Sequence, residues 1–347
     1  MIVGVNLNHD YALAIYAPPD LTLLEQERTS RIKHHWTPEC LTLALLDEWD
    51  ESALRSIEAI ALCSPKSWYI EEQGSDLSST RRRWTYEGGY LSLDRPSETL
   101  TSGVLKTDGA EVPAYWVSHY HAHAASAVWA WGRSHADVLC LDGGGDFGFG
   151  AVFDFDPPEL SVRERLLHWA YARGYHDIAE DYFGSQGFHE GRLMAAAAYG
   201  DASHRSEPMF DSFGRMADRP ISRHDLARTH VDFVDAALQL VRSLDPRHDA
   251  LVCAGGCFLN VTLNQMLAES GLYADVYVPP FTTDMGTAIG AALLVAQARD
   301  VALPSTEQGV TFLGRAIEAD PTELDAVARE VGAVIQWSLP AALPRPA

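Results

Sequence analysis

Short apolar runs alternate with stretches of helical periodicity along the chain, and their order predicts an α/β protein. The chain opens with three closely spaced strands, a pattern typical of antiparallel hairpins. The strands predicted in the first part are Ile2–Asn6, Tyr11–Tyr16, Leu21–Glu25, Ile57–Leu62 and Tyr115–Val117, and the helices are 39–50, 51–58 and His119–Trp131.

The same order of elements returns in the second part of the chain. A capping box at Ser222–Asp225 predicts the start of a long helix. The strands predicted here are Val138–Leu141, Phe147–Phe155, Ala250–Cys253 and Val276–Val278, and the helices are 223–244, 258–270 and Thr287–Arg299. We therefore expect two related lobes, residues 1–132 and 133–300, with a ligand cleft between them.

Two segments fall outside this repeat. Residues 64–113 show no sustained period and contain glycines, three consecutive arginines and several aromatic residues. They are interpreted as a long excursion or lid that carries substrate contacts, or alternatively as a decorated loop without a role in chemistry. Residues 301–347 form a proline-rich tail in which 322–335 can add one helix and one strand.

Charge and composition narrow the function. The 347 residues carry 26 Lys+Arg against 48 Asp+Glu, a net charge of −22, which argues against nucleic-acid partners and anionic membrane surfaces. No apolar run is long enough for a transmembrane helix, and the N-terminus does not resemble a signal peptide. The 5 scattered cysteines favour reduced thiols, so we expect a cytoplasmic protein.

Four residues form a candidate metal site. His119 and His123 are four positions apart on a predicted helix, so both imidazoles face the same side. Asp142 ends an apolar strand, and Asp284 precedes a helix, where helix capping is its alternative role. A set of two histidines and two aspartates suits Fe²⁺, Mn²⁺ or Zn²⁺ better than Ca²⁺.

Two glycine runs follow predicted strands. Gly143 and Gly144 lie in one, and Gly255 and Gly256 in the other. Glycine turns let backbone N–H groups approach phosphates, and a following helix adds its positive end. Neither run has the spacing of the known nucleotide-binding fingerprints, so tight turns without a ligand are the alternative.

Seven motifs occur in a characteristic order along about 290 residues. They are Gly4 through His9-Asp10, Glu25 through Lys33-His34, Val117 through His119, His123 and Ser126, Leu141-Asp142-Gly143, Glu190-Gly191-Arg192 through Gly200, Ala254-Gly255-Gly256 with Asn260, and Asp284 through Ala292. In these motifs the chain resembles the O-carbamoyltransferases of the nodulation and antibiotic-tailoring type. The N-terminal part of that family is similar to the tRNA-threonylcarbamoyl synthase domain of the actin/Hsp70/sugar-kinase (ASKHA) superfamily.

The resemblance implies a duplicated, two-lobed actin-like ATPase fold with a central cleft. It also implies that ATP and carbamoyl phosphate form a carbamoyl-adenylate, from which the carbamoyl group passes to a hydroxyl of a small-molecule acceptor. Such acceptors are natural products or sugars, as in antibiotic biosynthesis. A divalent metal is implied as well, with Fe²⁺ or Mn²⁺ preferred and Mg²⁺ or Zn²⁺ as alternatives.

The resemblance assigns a role to each motif residue. The metal ligands would be His119, His123, Asp142 and Asp284; the nucleotide-binding residues would be Gly143, Gly144, Gly255, Gly256, Asn260 and Glu190; and the catalytic residues would be His9, Asp10 and Lys33. Transfer to an alcohol needs a base and a positive charge near the oxyanion. His9 beside Asp10 can act as the base and Lys33 can steady an oxygen, although a surface position is the alternative for Lys33.

The sequence also departs from the family pattern. Tyr120 stands at the second of two consecutive histidines, with His121 next along, while Arg192 replaces a lysine and Ala195 a glycine. The C-terminal domain of the family is absent from these 347 residues. We expect either a truncated chain, a separate activating protein, or a domain that performs the whole reaction; a homo-oligomer is a further option.

Three other functions stay open at this point. The first is a tRNA-modifying relative, which the acidic charge argues against. The second is a sugar or acyl kinase of the same superfamily, and the third is a non-catalytic nucleotide-binding subunit. The acceptor itself is not identified, but aromatic residues of the 64–113 segment suggest a sizeable glycoside or macrolide; they are Trp68, Tyr69, Trp84, Tyr86 and Tyr90.

Overall fold

The computed structural model describes most of the chain. The described residues are 1–7, 9–34, 46, 49–64, 77, 83–89, 91, 98–107, 110–146, 148–184, 188–204, 220–306, 310 and 313–314. Residues Met1–Leu313 form one compact unit. The predicted helix 39–50, the predicted elements within 322–335, and the side chains of Trp68, Tyr69 and Tyr90 lie outside or largely outside the described residues.

The first sheet has seven strands. They are β1 (Ile2–Asn6), β2 (Ala12–Ala17), β3 (Asp20–Glu25), β4 (Ala59–Cys63), β5 (Trp84–Gly88), β6 (Leu100–Thr107) and β7 (Ala110–Val117). Their order is β3-β2-β1-β4-β7-β6-β5. Strands β1 to β3 pair antiparallel, as the hairpin-rich opening predicts, whereas β4 pairs parallel with both β1 and β7.

The second sheet has five strands and repeats this pattern. They are β8 (Ala136–Gly145), β9 (Gly148–Asp156), β10 (Glu159–Arg165), β11 (Ala250–Ala254) and β12 (Asp275–Tyr277), in the order β10-β9-β8-β11-β12. An antiparallel β8-β9-β10 meander is followed by parallel β8-β11-β12 pairing. The strands β3-β2-β1-β4-β7 have the same order and sense, so the predicted duplicated, two-lobed actin-like fold class is confirmed.

Eight α-helices connect the strands in the described part of the chain. They are α1 (Gln26–Ser30), α2 (Glu51–Arg55), α3 (His119–Trp131), α4 (Tyr171–Phe183), α5 (Glu190–Ala197), α6 (Arg223–Ser243), α7 (Val261–Glu269) and α8 (Met285–Ala298). The predicted capping box before α6 is present, because the side chains of Ser222 and Asp225 each accept a hydrogen bond from the other residue's backbone. Among the described residues, no helix has the length and apolarity needed to cross a membrane.

The interpretation of residues 64–113 as a non-periodic excursion is wrong for their described parts. Strands β5, β6 and the first half of β7 lie here and extend the first sheet. Most of β6 is half-buried, so apolar and polar residues mix and the strand period is weak. Trp84 and Tyr86 are 0% and 1% exposed, so they belong to the core and are not surfaces on which an acceptor can stack.

Helices α3 and α8 pack against each other at the centre of the molecule. Residues of α3 contact the second sheet on one side and the core of the first sheet on the other, whereas α8 packs on β1, β2 and β4. A Cβ atom at Gly290 would overlap the carbonyl oxygen of Ala122, which shows how closely the two helices approach. The last helix of the second part therefore completes the core of the first sheet, while the lobe boundaries at 132 and 300 stay a prediction.

The four described cysteines form no disulfide, in agreement with the expectation of reduced thiols. Cys63, Cys140, Cys253 and Cys257 are all buried free thiols. Burial raises the pKa of each of these thiols, so they are protonated and unreactive at neutral pH. These residues serve packing, and Cys40 lies outside the described residues.

Candidate metal centre

The four predicted metal ligands meet at the N-terminal ends of α3 and α8. One ligand atom each from His119, His123, Asp142 and Asp284 lies within 4.8 Å of the others. The Nε2 atom of His123 is 3.2 Å from Oδ1 of Asp284 and 3.6 Å from Oδ2 of Asp142. The Nε2 atom of His119 is 3.6 Å from the same Oδ1 of Asp284.

Each ligand is held by the local fold. The i, i+4 spacing on α3 brings the rings of His119 and His123 together edge to face, with centroids 4.6 Å apart. Asp284 precedes α8 but makes no side-chain capping hydrogen bond, so the capping alternative is wrong and its carboxylate faces the histidines instead. Asp142 accepts hydrogen bonds from the N–H groups of Gly143 and Gly256, at 2.6 and 2.8 Å, which fixes it between the two glycine runs.

The electrostatics of the cluster suit a divalent cation. Both ring nitrogens of His119 and Nδ1 of His123 are buried without a hydrogen-bond partner in the part of the chain that the structure describes. Burial lowers the pKa of His119 to about 3, so its imidazole is neutral, the form that binds metals. Burial opposes ionisation of Asp284, but His9, His119 and His123 outweigh it and hold the pKa of that carboxyl below its usual range. A cation bound in the cluster would satisfy the orphaned Nε2 of His119, the nitrogen that faces Asp284.

His9 and Asp10 adjoin this cluster. The Nε2 atom of His9 is 3.5 Å from Oδ2 of Asp284, and its Nδ1 is 3.3 Å from Oδ2 of Asp10. Burial lowers the pKa of His9, but the carboxylates of Asp284 and Asp10 more than compensate and raise it to about 9. An imidazolium donates a proton rather than accepting one. A base role for His9 therefore requires that another cation neutralise Asp284.

Two site residues were missed by the sequence analysis. The Nδ1 atom of His34 is 2.6 Å from Oδ1 of Asp10, so that carboxylate bridges two imidazoles. The Phe188 ring lies 4.6 Å from the ring of His9 and 4.9 Å from that of His34. His34 ends a quoted motif and could have been found there, whereas no sequence signal points to Phe188. Asp10 and His34 also have positive φ angles of 56° and 51°, which are uncommon outside glycine.

Lys33 stands apart from these groups. The structure leaves it exposed on the turn after α1, while the adjacent His34 turns inward. Its exposure agrees with the surface alternative, and its catalytic role stays a prediction. Glu190, predicted to bind nucleotide, pairs with His176, whose Nδ1 is 2.6 Å from its Oε1.

The predicted nucleotide glycines fall into two kinds. A Cβ atom at Gly143 or Gly144 would meet nothing within 4 Å, so open space surrounds this run. Gly255 has a φ of 96°, and a Cβ there would overlap the carbonyl oxygen of Leu141. Packing alone therefore requires glycine at 255, whereas packing gives no reason for glycine at 143 or 144.

Asn260 has a structural role that is separate from any ligand. Its Oδ1 accepts a hydrogen bond from the N–H of Leu263 at 3.1 Å and so caps α7. We expect Asn260→Ala to lower the free energy of unfolding by about 1 kcal/mol, measured by denaturant titration. Asn260→Ser keeps a capping oxygen and should restore most of this stability. Equal stability of the Ala variant and the native chain would contradict the capping role.

The departure at Tyr120 is also explained by packing. The Tyr120 ring fills the space beside Gly145, and its hydroxyl donates a hydrogen bond to the carbonyl oxygen of Gly148 at 2.8 Å. The next residue, His121, is not one of the four residues of the candidate metal cluster. Its Nδ1 is 2.9 Å from the hydroxyl of Ser118, and its ring lies against Phe153.

These observations define a class of protein: a two-lobed actin-like fold with a buried histidine and aspartate centre between two glycine turns. Comparison with known proteins adds similarities in sequence. Residues 209–293 match the sequence family described as Carbamoyltransferase N-terminus. The chain is 25% identical over 86% of its length to nodulation protein NolNO of Sinorhizobium fredii (strain NBRC 101917 / NGR234), of which it covers 48%. It is 24% identical over 84% of its length to the 3'-hydroxymethylcephem-O-carbamoyltransferase of Amycolatopsis lactamdurans, of which it covers 59%.

The chain is thus similar in sequence to nodulation proteins and to a named O-carbamoyltransferase, in agreement with the resemblance drawn from its motifs. It spans about half the length of the curated relatives it matches. A solved structure of the activator of the 2-hydroxyisocaproyl-CoA dehydratase from Clostridium difficile with bound ADPNP covers 88% of the chain and is itself covered to 99%, with a TM-score of 0.47 and 11% identity.

Proposed function

We propose that this chain transfers a carbamoyl group, derived from carbamoyl phosphate and ATP through carbamoyl-adenylate, to a hydroxyl of a small-molecule acceptor. The observation that carries the proposal is the buried cluster of His119, His123, Asp142 and Asp284 beside the open glycines 143 and 144, in a relative of named carbamoyltransferases. The cluster would hold a divalent cation, Fe²⁺ or Mn²⁺ by its nitrogen and oxygen donors. Such a cation supplies positive charge to nucleotide phosphates when bound.

Residues around the cluster would bind the phosphate oxygens and transfer the proton. The acceptor oxygen attacks the carbamoyl carbon, the bond to the adenylate oxygen breaks, and AMP leaves while the hydroxyl loses its proton. The backbone N–H of Gly144 would bind a phosphate oxygen, while Gly143, whose N–H already donates to Asp142, would leave space for the nucleotide; this would hold an anion in a protein of net charge −22. His9, which lies 3.5 Å from Asp284, would face the carbamoyl group and receive or donate the proton.

The decisive experiment is mass spectrometry of reactions with the purified chain, MnCl₂, ATP, carbamoyl phosphate and a panel of sugar and natural-product alcohols. The expected products are AMP, pyrophosphate, inorganic phosphate and a carbamate ester. A second reaction replaces ATP and carbamoyl phosphate with preformed carbamoyl-adenylate. Activity only in the second reaction would indicate that a separate protein makes the adenylate. Release of ADP would favour the kinase alternative, carbamoylated tRNA the tRNA-modifying one, and nucleotide binding without turnover in either reaction the non-catalytic subunit.

His9 provides a test of the reaction centre. We expect His9→Gln to lower the turnover of carbamoyl-adenylate by about 100-fold, because general acid–base groups contribute at least that factor. The side chain of His9 is only 26% exposed, so thermal unfolding is measured in parallel. The control His135→Gln changes a histidine that is 61% exposed and should leave turnover unchanged. Undiminished turnover in His9→Gln would remove His9 from the mechanism.

A further inference from the structure

Helix α3, which carries both predicted histidine ligands, has an unusual N-terminal cap. Ser118 precedes the helix and is of a capping type, but it makes no side-chain capping hydrogen bond. Its hydroxyl instead contacts Nδ1 of His121 and hydrogen-bonds the carboxylate of Asp146. The backbone N–H of His119 donates to Oδ2 of Asp146 at 2.7 Å, so the cap comes from a residue 27 positions away in the chain.

Asp146 is the last residue of a short segment, 142–146, that we call the glycine turn. Its first residue, Asp142, has a carboxylate oxygen 3.6 Å from Nε2 of His123. Its last, Asp146, is 5% exposed and holds the N–H of His119. The two carboxylates therefore contact two successive turns of α3, the turns that carry His119 and His123.

Tyr120 ties the same two elements together a second time. Its hydroxyl donates to the carbonyl oxygen of Gly148, just beyond the glycine turn. Its ring occupies the space that a side chain at Gly145 would need. The first turn of α3 and the glycine turn thus form one packed unit rather than two neighbouring loops.

This unit lies between two proposed ligands. Gly143 and Gly144 are the open positions proposed for the nucleotide, and His119 and His123 are proposed for the cation. A ligand that orders the glycine turn also fixes the first turn of α3. The protein then loses less conformational entropy when the second ligand binds. The effect must be reciprocal, because each ligand changes the affinity of the other by the same factor.

We infer that Asp146 is a positioning residue that couples nucleotide binding at the glycine turn to metal binding at His119 and His123. The inference rests on the proposed function, because it needs both ligands. The Asp146 carboxylate acts through the backbone of His119, and its negative charge also suits the positive end of α3. A shift of the glycine turn would therefore move His119, the first of the two proposed histidine ligands.

The test measures Kd for Mn²⁺ and for a non-hydrolysable ATP analogue by calorimetry, each with and without the other. In the native chain we expect each ligand to tighten the other by about 10-fold. Asp146→Ala should reduce this factor severalfold, leaving only the part that comes from direct attraction between the cation and the phosphates. Asp146→Asn keeps an oxygen that can accept the N–H of His119, so it should retain most of the coupling.

Controls separate coupling from simple stability. Ser222→Ala removes the capping oxygen of α6, far along the chain, and should lower thermal stability without changing the coupling factor. A native chain that binds neither ligand would refute the proposed function. Binding of both without coupling, or a folded Asp146→Ala with full coupling, would overturn the inference alone. Where Asp146→Ala fails to fold, Asp146→Asn decides: loss of the coupling in that folded variant, which still offers an oxygen to the N–H of His119, would overturn the inference.

Discussion

Asp284→Asn is expected to weaken Mn²⁺ binding by more than about 100-fold and to reduce carbamoyl transfer to background. The carboxylate of Asp284 lies at the centre of the cluster, 3.2 Å from His123, 3.6 Å from His119 and 3.5 Å from His9. An amide has nearly the same size but no charge and is a poor ligand. Loss of residues that only orient a ligand already costs 10- to 100-fold in metal affinity, so loss of a ligand should cost more.

Calorimetric titration with MnCl₂ measures this effect directly, and circular dichroism checks the fold. The matched control is Asp235→Asn, because Asp235 is exposed on α6 and far along the chain from every proposed ligand. It should bind Mn²⁺ like the native chain. Unchanged Mn²⁺ affinity in Asp284→Asn would show that the cluster is an ordinary network of buried polar groups, and the proposed metal role would have to be abandoned.

Gly290→Ala is expected to cause the largest loss of stability among single-methyl changes, about 3 kcal/mol or more. Its new Cβ would overlap the carbonyl oxygen of Ala122, much closer than the 3.0 Å that real Cβ atoms respect. Backbone cannot move aside as a side chain can, so α3 and α8 must separate. His119 and His123 lie on one of these helices and Asp284 at the start of the other, so metal affinity should fall together with stability.

Denaturant titration of the Gly290 variant tests the close approach, with Gly191→Ala as its control. Gly191 also lies in a helix, but a Cβ there meets nothing within 4 Å. Its replacement should raise stability by about 0.5–1 kcal/mol, because alanine restricts the unfolded chain and favours helix. Stability of Gly290→Ala equal to that of the native chain would mean that the two helices are less tightly packed than described.

That His119, His123 and Asp142 lie together could be predicted, because each follows from a local rule. The i, i+4 spacing places His119 and His123 on one side of a helix, and Asp142 ends an apolar run at a glycine turn. The repeated order of strands and helices likewise predicts the duplicated sheets. In each case the information lies within a few neighbouring residues, where periodicity and turn chemistry are strong.

The features that escaped prediction depend on distant contacts. The cap that Asp146 gives to α3 joins residues 27 apart, and nothing near Asp146 signals it. No element was predicted between residues 156 and 221, where β10, α4 and α5 lie. Helix α4 is an exception to the rule of distant contacts, because its buried residues Ala172, Tyr175, Ile178 and Ala179 recur at helical spacing. The inward turn of His34 depends on a backbone conformation with positive φ, which sequence periodicity does not report.

An ion bound in the cluster would also change the stability of the whole chain. His123 and Asp284 are 161 positions apart, so an ion held between them would act as a reversible cross-link that closes nearly half of the chain into a loop. The ion would bind the folded chain and not the unfolded one. It would therefore add about 2.7 kcal/mol to the free energy of unfolding when the free ion is at 100 times its Kd. Availability of the ion would then govern the lifetime of the protein as well as its chemistry.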